Sequence, residues 1–238
     1  TNNADMEGNV KLSATDKNGN PKRGEVAYED IITATPTVEN AEAGTLQYSW
    51  WRQLPTSVTP ERIDKAPRTP TYEVTADDIG YNIICRVSAT NTSQLSYLQA
   101  DIGPVQKGIY PPDYIPTDGV VDDFRDTFTF QGLAPTKYEY CIDGGKSDTW
   151  TPVPDSGGSN TYVISVGDIT VPAGNLLVRA KESDIYRPSD TLANEQNFIS
   201  TGELKITFTG EPRYGEVLRA EINSEALDPA DINYEWSY

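Results

Sequence analysis

The side chains capable of chemistry in this chain are two cysteines and 36 carboxylates, and histidine is absent. Without an imidazole there can be no Ser-His-Asp triad, no Cys-His pair and no histidine metal ligand. The carboxylates are scattered, and no pair is marked by its context as the acid and base of a glycosidase. The sequence therefore predicts that the chain is not an enzyme and that it uses no cofactor.

Cys85 and Cys141 form one widely spaced pair, which is neither a zinc signature nor a disulfide framework. We assign them to different domains, so no bridge is expected, and we interpret both as small buried hydrophobic residues. The adjacent Asp77 and Asp78 supply too few oxygens for calcium, which takes roughly six or more ligands. Turn stabilisation is the favoured interpretation of this acidic pair, and no metal-binding residues are predicted. A calcium ion shared at a module junction stays open as an alternative.

The net charge of the chain limits the kinds of partner that it can bind. Nineteen basic and 36 acidic residues give a net charge of −17, and a field of this sign repels nucleic acid and anionic lipid headgroups. No run approaches the roughly 18 apolar residues of a membrane span, and no signal peptide is visible. Since Thr1 is not an initiator Met, the sequence is interpreted as a mature or excised piece of a longer protein.

Three blocks near the start of the chain recur in the same order near its end. Each block alternates apolar and polar residues with period two, which is typical of β-strands. Ordered repetition of this kind indicates tandem modules. The matched blocks are 8–14 GNVKLSA with 202–208 GELKITF, 21–26 PKRGEV with 212–217 PRYGEV, and 46–50 LQYSW with 232–236 INYEW.

The third block repeats an aromatic pair, Tyr48 and Trp50 in the first copy and Tyr234 and Trp236 in the second. Residues two apart lie on the same side of a strand. A Trp on the third strand of a small all-β module is usually its core anchor. We therefore predict that both pairs, together with Cys85, belong to the structural core.

Trp51 follows Trp50 directly and must point to the opposite side of the strand. The second copy has Ser237 at this position. Two interpretations stay open for Trp51: a surface contact, and packing under a loop or an adjacent module.

The remainder of the first module carries a family resemblance. Four short stretches, at 24–26, 48–52, 77–80 and 85–89, carry it together with the repeated blocks above. They resemble the bacterial immunoglobulin-like tandem repeats of adhesin-like surface proteins, over residues 8 to about 106 and again over 202–238. The resemblance implies a two-sheet β-sandwich, but an antibody-type domain would have a second Cys near residues 31–35. None is there, so packing must hold the sandwich. The residues that carry the resemblance are 24–26 GEV, 48–52 YSWWR, 77–80 DDIG and 85–89 CRVSA.

The middle of the chain is also β in pattern. A Pro- and Gly-rich linker at 101–119 leads into alternating segments at 126–132, 161–168 and 174–182. Residues 137–153 predict a hairpin whose DGG turn, 143–145, requires positive φ. The predicted fold is therefore all-β, with tandem immunoglobulin-like sandwich modules. The predicted domains are 1–108, a second immunoglobulin- or fibronectin-like sandwich at 109–198, and an incomplete module at 199–238 that repeats 8–51.

The expected function is that of an extracellular, cell-surface structural or adhesion segment, with a protein or a glycan at the cell surface as partner. One alternative is an array of carbohydrate-binding modules that stack exposed aromatic residues on sugars, with Trp51, Trp150 and Tyr110 as candidates. A component of a phage or virion fibre is another. For 199–238 two expectations are open: the intact protein continues beyond Tyr238, or a second chain completes the module by self-association.

Overall fold

A computed structural model of the chain describes residues 4–93, 95–123, 125–167 and 169–199, together with the backbone of two later strands. The chain divides into two compact units. The first consists of residues 1–109 and the segment 183–187, and the second consists of residues 110–182 and 188–238. The predicted boundaries lay after residues 108 and 198. The regular structure of the described residues is nearly all β, which confirms the predicted fold class.

The first unit is a sandwich of two antiparallel sheets built from seven strands. A three-stranded sheet has the order β1-β2-β5, and a four-stranded sheet has the order β4-β3-β6-β7. The chain crosses from one sheet to the other after β2, β4 and β5, as in the Greek-key connections of an immunoglobulin-like sandwich. The strands are β1 Gly8–Thr15, β2 Ile31–Val38, β3 Leu46–Gln53, β4 Glu61–Arg62, β5 Thr71–Glu73, β6 Asn82–Ala89 and β7 Leu98–Ile102, with short 3-10 turns at Ala43–Thr45 and Ala76–Asp78.

The core of the first unit forms where the two sheets face each other. The Trp50 ring is 1% exposed, stacks on Tyr72 at 5.4 Å between ring centroids, and donates its indole N–H to the Thr69 carbonyl at 3.1 Å. Its cross-strand partner Cys85 is 0% exposed. Tyr48 is half-buried and packs against the same cluster. An indole with its one polar atom satisfied can be buried fully, which suits it as the anchor of a core without a disulfide.

The second unit repeats this topology. Its three-stranded sheet has the order β8-β9-β12, and its four-stranded sheet has the order β11-β10-β13-β14. The predicted hairpin is confirmed, because β10 pairs with β11 and the two glycines between them have φ of 71° and 75°. The strands are β8 Thr117–Asp122, β9 Thr127–Gln131, β10 Tyr138–Cys141, β11 Thr151–Pro152, β12 Thr161–Ser165, β13 Leu177–Ala180 and β14 Leu192–Ala193, after a 3-10 turn at Pro112–Tyr114.

An aromatic cluster fills the core of the second unit. Phe130 stacks on Tyr162 at 5.3 Å, and Tyr138 meets both rings edge-on. The buried Tyr138 hydroxyl donates to the Tyr114 carbonyl and accepts the Leu133 N–H, so its polar end is satisfied. Both free cysteines, Cys85 and Cys141, are buried.

The last two described strands, β15 Lys205–Thr209 and β16 Arg219–Asn223, form an antiparallel hairpin. β15 belongs to the repeated block that matches β1, and β16 follows the repeated GEV as β2 does in the first unit. Lys11 pairs with Thr35 in the first unit, and Lys205, which matches Lys11 in the repeated block, pairs with Asn223 in the hairpin. The predicted core residues Tyr234 and Trp236 lie outside the described residues.

Candidate functional site

The solvent-facing side of the four-stranded sheet in the first unit carries an unusual cluster of side chains. Alternation along β6 turns Cys85 and Val87 inward, where both are 0% exposed, and turns Arg86 outward. On β3, Trp50 points inward, so Ser49 and Trp51 point outward. The register places Ser49 directly opposite Arg86. Strand pairing therefore fixes which outward side chains are neighbours.

Arg86 lies between two aromatic rings. Its guanidinium carbon is 4.2 Å from the ring centroid of Trp51 and 4.7 Å from that of Tyr97. Both distances are within the range of a cation–π contact. Arg86 Nε donates to Gln99 Oε1 at 3.2 Å, and Trp51 Nε1 donates to Ser49 Oγ at 3.1 Å. We call Trp51, Arg86 and Tyr97 the Arg86 stack.

The Arg86 stack is open to solvent at one end. Tyr97 is 45% exposed and the nearby Leu95 is 92% exposed, whereas Trp51 and Arg86 are half-buried. No carboxylate among the described residues lies within ion-pair distance of Arg86. In a chain of net charge −17, Arg86 is thus a fixed positive charge without a counter-ion in the part of the chain that the structure describes. Such an arrangement can bind an anionic group or present aromatic surface to a partner.

A related cluster in the second unit is closed. The guanidinium carbon of Arg179, on β13, lies 3.7 Å from the ring centroid of Trp150. Arg179 Nε donates to Glu139 Oε1 at 2.8 Å, and Glu139 is 8% exposed. The cation is neutralised inside the unit, so this cluster is a structural ion pair covered by an indole.

The three predicted binding residues have different surroundings. Trp51 belongs to the Arg86 stack of the first unit, and Trp150 to the closed cluster of the second. Tyr110 was expected to be an exposed aromatic residue, and that expectation is wrong: it is 8% exposed, and its hydroxyl donates to the Lys181 carbonyl at 2.7 Å. Sequence alone does not show that this tyrosine of a Pro-rich stretch packs inward.

The two aspartates of the Asp77–Asp78 turn differ in burial and in hydrogen bonding, which their sequence did not indicate. Asp77 is exposed, but Asp78 is 0% exposed. Asp78 Oδ2 accepts hydrogen bonds from the Tyr72 hydroxyl at 2.6 Å, the Thr75 N–H at 2.9 Å and the Thr75 hydroxyl at 2.8 Å. Arg52 Nη1 lies 3.6 Å from Asp78 Oδ1. Burial, followed by the bond to Asp78, raises the pKa of Tyr72 well above its ordinary value. The network ties strand β5 to the turn that precedes β6.

A groove of about 730 Å³ lies beside this network in the first unit. Residues 62–67 and 72–78 form its walls, with Tyr28, Glu29 and Arg52 completing the lining. The lining includes five carboxylates and three basic side chains. Within the described part of the chain, no group of three or more Cys or acidic side chains could hold a metal ion. Nor does any helix there have the length and apolarity needed to cross a membrane.

Sequence reasoning missed Arg86 and Tyr97. Arg86 lies between the inward-facing Cys85 and Val87, so the period-two pattern alone predicts that its side chain points outward. The missing information was the register between β3 and β6, which the strands' own sequences do not contain. Tyr97 precedes β7 after a loop, and its approach to Arg86 depends on tertiary structure.

No protein-family model matches this chain, and no curated protein matches it. Among solved structures, the chain is similar to the crystal structure of domains A168–A170 from titin. The TM-score is 0.26 and the sequence identity is 13%, and the match covers 82% of this chain and 67% of the titin chain. The strand order and strand pairing of the two units identify each of them as an immunoglobulin-like sandwich.

Proposed function

We propose that this chain is a non-catalytic, extracellular segment of tandem immunoglobulin-like modules that contributes to adhesion at a cell surface. The observation that carries the proposal is the Arg86 stack. It places two aromatic rings and a cation on the outer face of a sheet whose inner face is an ordinary core. Trp, Tyr and Arg are the residues that dominate binding energy in protein interfaces.

Three further features support the proposal. The ordered sequence repeat is typical of tandem modules, and the two described units have the same strand order. The repeated motifs resemble those of bacterial surface proteins. The net charge of −17 disfavours nucleic acid and anionic membranes as partners.

The test of adhesion uses beads coated with the purified chain and offered to cell monolayers. We expect the double variant Trp51→Ala/Tyr97→Ala to reduce bead retention by about tenfold, because two interface aromatics are removed. The matched control is Trp150→Ala, which removes an indole from the closed cluster and should retain binding. Equal retention of wild-type and double-variant beads would exclude adhesion through this face.

The extracellular location is tested separately on cells that produce the protein. Protease treatment of intact cells should degrade the chain, and antibodies against it should label unpermeabilised cells. Labelling that appears only after permeabilisation would contradict the proposed location without bearing on the binding role of the Arg86 stack.

A further inference from the structure

We propose that Arg86 binds a carboxylate supplied by an Asp or Glu side chain of a protein partner. This inference rests on the proposed binding role of the Arg86 stack and adds the chemistry of its ligand. It comes from comparing the two units, because their sheets have the same strand order. In that order β3 corresponds to β10, and β6 corresponds to β13. Arg86 and Arg179 are thus outward arginines on corresponding strands, each against an indole.

The residue opposite each arginine differs between the units. Glu139 on β10 is the register partner of Arg179 and forms the 2.8 Å ion pair with it. Ser49 on β3 is the register partner of Arg86, and its hydroxyl accepts the indole N–H of Trp51 instead. The first unit therefore has an outward arginine against an indole, but among its described residues no carboxylate pairs with that arginine. A carboxylate from outside would restore the same ion pair.

The guanidinium of Arg86 is preorganised for binding a carboxylate. Contacts with two rings and with Gln99 hold the guanidinium in one orientation, so little side-chain entropy is lost when a ligand binds. Only Nε is used by Gln99, and a guanidinium has five N–H donors that suit bidentate contact with a carboxylate. Charge-assisted hydrogen bonds of this type are about twice as strong as neutral ones.

The surroundings favour a protein as the source of the carboxylate. Tyr97, which contacts Arg86, is 45% exposed and offers apolar surface beside the charge, and Leu95, two residues before it in the chain, is 92% exposed. An arginine in contact with a Trp and a Tyr has the composition of an interface hot spot.

The test is a titration of the ¹⁵N-labelled full chain followed by NMR. The probe is the blocked peptide acetyl-Ala-Glu-Ala-amide, with acetyl-Ala-Gln-Ala-amide as the neutral comparison and sodium glucuronate as a sugar carboxylate, all at equal ionic strength. We expect the Glu peptide to shift the Arg86 Nε–H resonance and the Trp51 indole N–H resonance, which disappears in Trp51→Phe. The Gln peptide should leave both in place.

Two variants at position 49 isolate the carboxylate while keeping Arg86. Ser49→Glu installs the internal partner that the second unit has, and it should weaken Glu-peptide binding by about tenfold relative to Ser49→Gln. Arg86→Gln should abolish the shifts, whereas Arg125→Gln makes the same charge change at a 77% exposed side chain of the second unit and should not.

Three outcomes would overturn the proposal: equal shifts with the Glu and Gln peptides, no shift with either, and equal binding by Ser49→Glu and Ser49→Gln. Shifts with glucuronate but not with the Glu peptide would replace the protein partner by an acidic sugar. If the Glu peptide fails while Trp51→Ala/Tyr97→Ala still abolishes bead retention, the adhesion proposal stands and only the carboxylate chemistry is rejected.

Discussion

At the scale of single residues, neighbouring side chains of the same type have opposite roles. Trp50 is 1% exposed and anchors the core, whereas Trp51 is half-buried and contacts Arg86 on the outer face. Strand alternation produces this difference, because successive side chains point to opposite faces. Two adjacent indoles therefore serve different faces of the sheet, Trp50 the core and Trp51 the outer surface.

Truncation of the two indoles should give unequal losses of stability. Trp50→Ala is expected to lower the free energy of unfolding by about 3–5 kcal/mol, because it leaves a large cavity. Trp51→Ala should cost about 1 kcal/mol, the value of a partly exposed cation–π contact. Urea unfolding monitored by circular dichroism measures both. A larger loss for Trp51→Ala would mean that the assignment of core and surface faces is reversed.

Burial of Cys85 should make stability fall at alkaline pH. Desolvation raises the pKa of this thiol from 9.0 to about 12. The folded state thus favours the neutral thiol, and the stability gained is fully present below pH 9 and is lost as pH rises toward 12. Urea midpoints from pH 8 to 11 should fall less steeply in Cys85→Ala than in the wild type. Desolvation also raises the pKa values of Tyr48, Tyr72 and Tyr138, and these groups contribute to the slope that remains.

A labelling experiment checks the same burial independently. Iodoacetamide at pH 8 should leave Cys85 of the native protein unmodified and should modify it in guanidinium chloride, because only the thiolate reacts. Rapid native labelling at Cys85, identified by peptide mass spectrometry, would contradict a core position.

At the scale of elements, turns and strand starts hold the sandwich in register. Asp78 connects strand β5 to the turn before β6 through Tyr72 and Thr75. Gly8 begins β1 with φ of 133°, and a Cβ built on it would lie 2.1 Å from the Thr37 carbonyl oxygen. The Asp78 side chain holds β5 to the turn before β6, and the absence of a side chain at Gly8 allows β1 to approach β2.

The adjacent aspartates provide a matched test of the turn. Asp78→Ala should cost about 3–5 kcal/mol, because the Tyr72 hydroxyl and the Thr75 N–H lose their acceptor and Arg52 loses a buried partner. Asp77→Ala, at an exposed position, should stay within about 0.5 kcal/mol of the wild type. Thermal unfolding compares them, and similar losses for both would show that Asp78 holds no buried network.

A glycine pair separates steric clash from backbone strain. Gly19 also has positive φ, 84°, but a Cβ there would have nothing within 4 Å. Gly19→Ala should therefore cost only the strain of the left-handed region, about 1–2 kcal/mol. Gly8→Ala adds the clash with Thr37 and should cost more. If calorimetry ranks the two variants in the opposite order, β1 does not approach β2 as closely as the structure has it.

At the scale of the whole molecule, the dominant property is charge. The excess of 17 negative charges is spread along the chain rather than collected in a tail. Self-repulsion of this kind keeps a protein soluble but works against the compact state. The surface ion pairs do not offset it, because exposed pairs contribute little.

Salt should therefore stabilise the chain. Raising NaCl from about 10 to 150 mM shortens the Debye length from roughly 30 to 8 Å and should raise Tm by roughly 2–4 °C for each 1 kcal/mol of repulsion relieved. The control is the same salt series near pH 4, where many carboxylates are protonated and the effect should shrink. A Tm that falls with salt at pH 7 would mean that attractive charge pairs outweigh the repulsion.

The sequence by itself determined the all-β class, the hairpin at 137–153 and the inward direction of Trp50. These follow from local rules: period-two alternation and the backbone freedom of glycine in turns. Tertiary structure alone decided that Arg86 meets Trp51 and Tyr97, that Asp78 is buried while Asp77 is not, and that Tyr110 packs inward. Contacts between strands depend on register and loop path, which join residues far apart in the chain, and no local pattern encodes them.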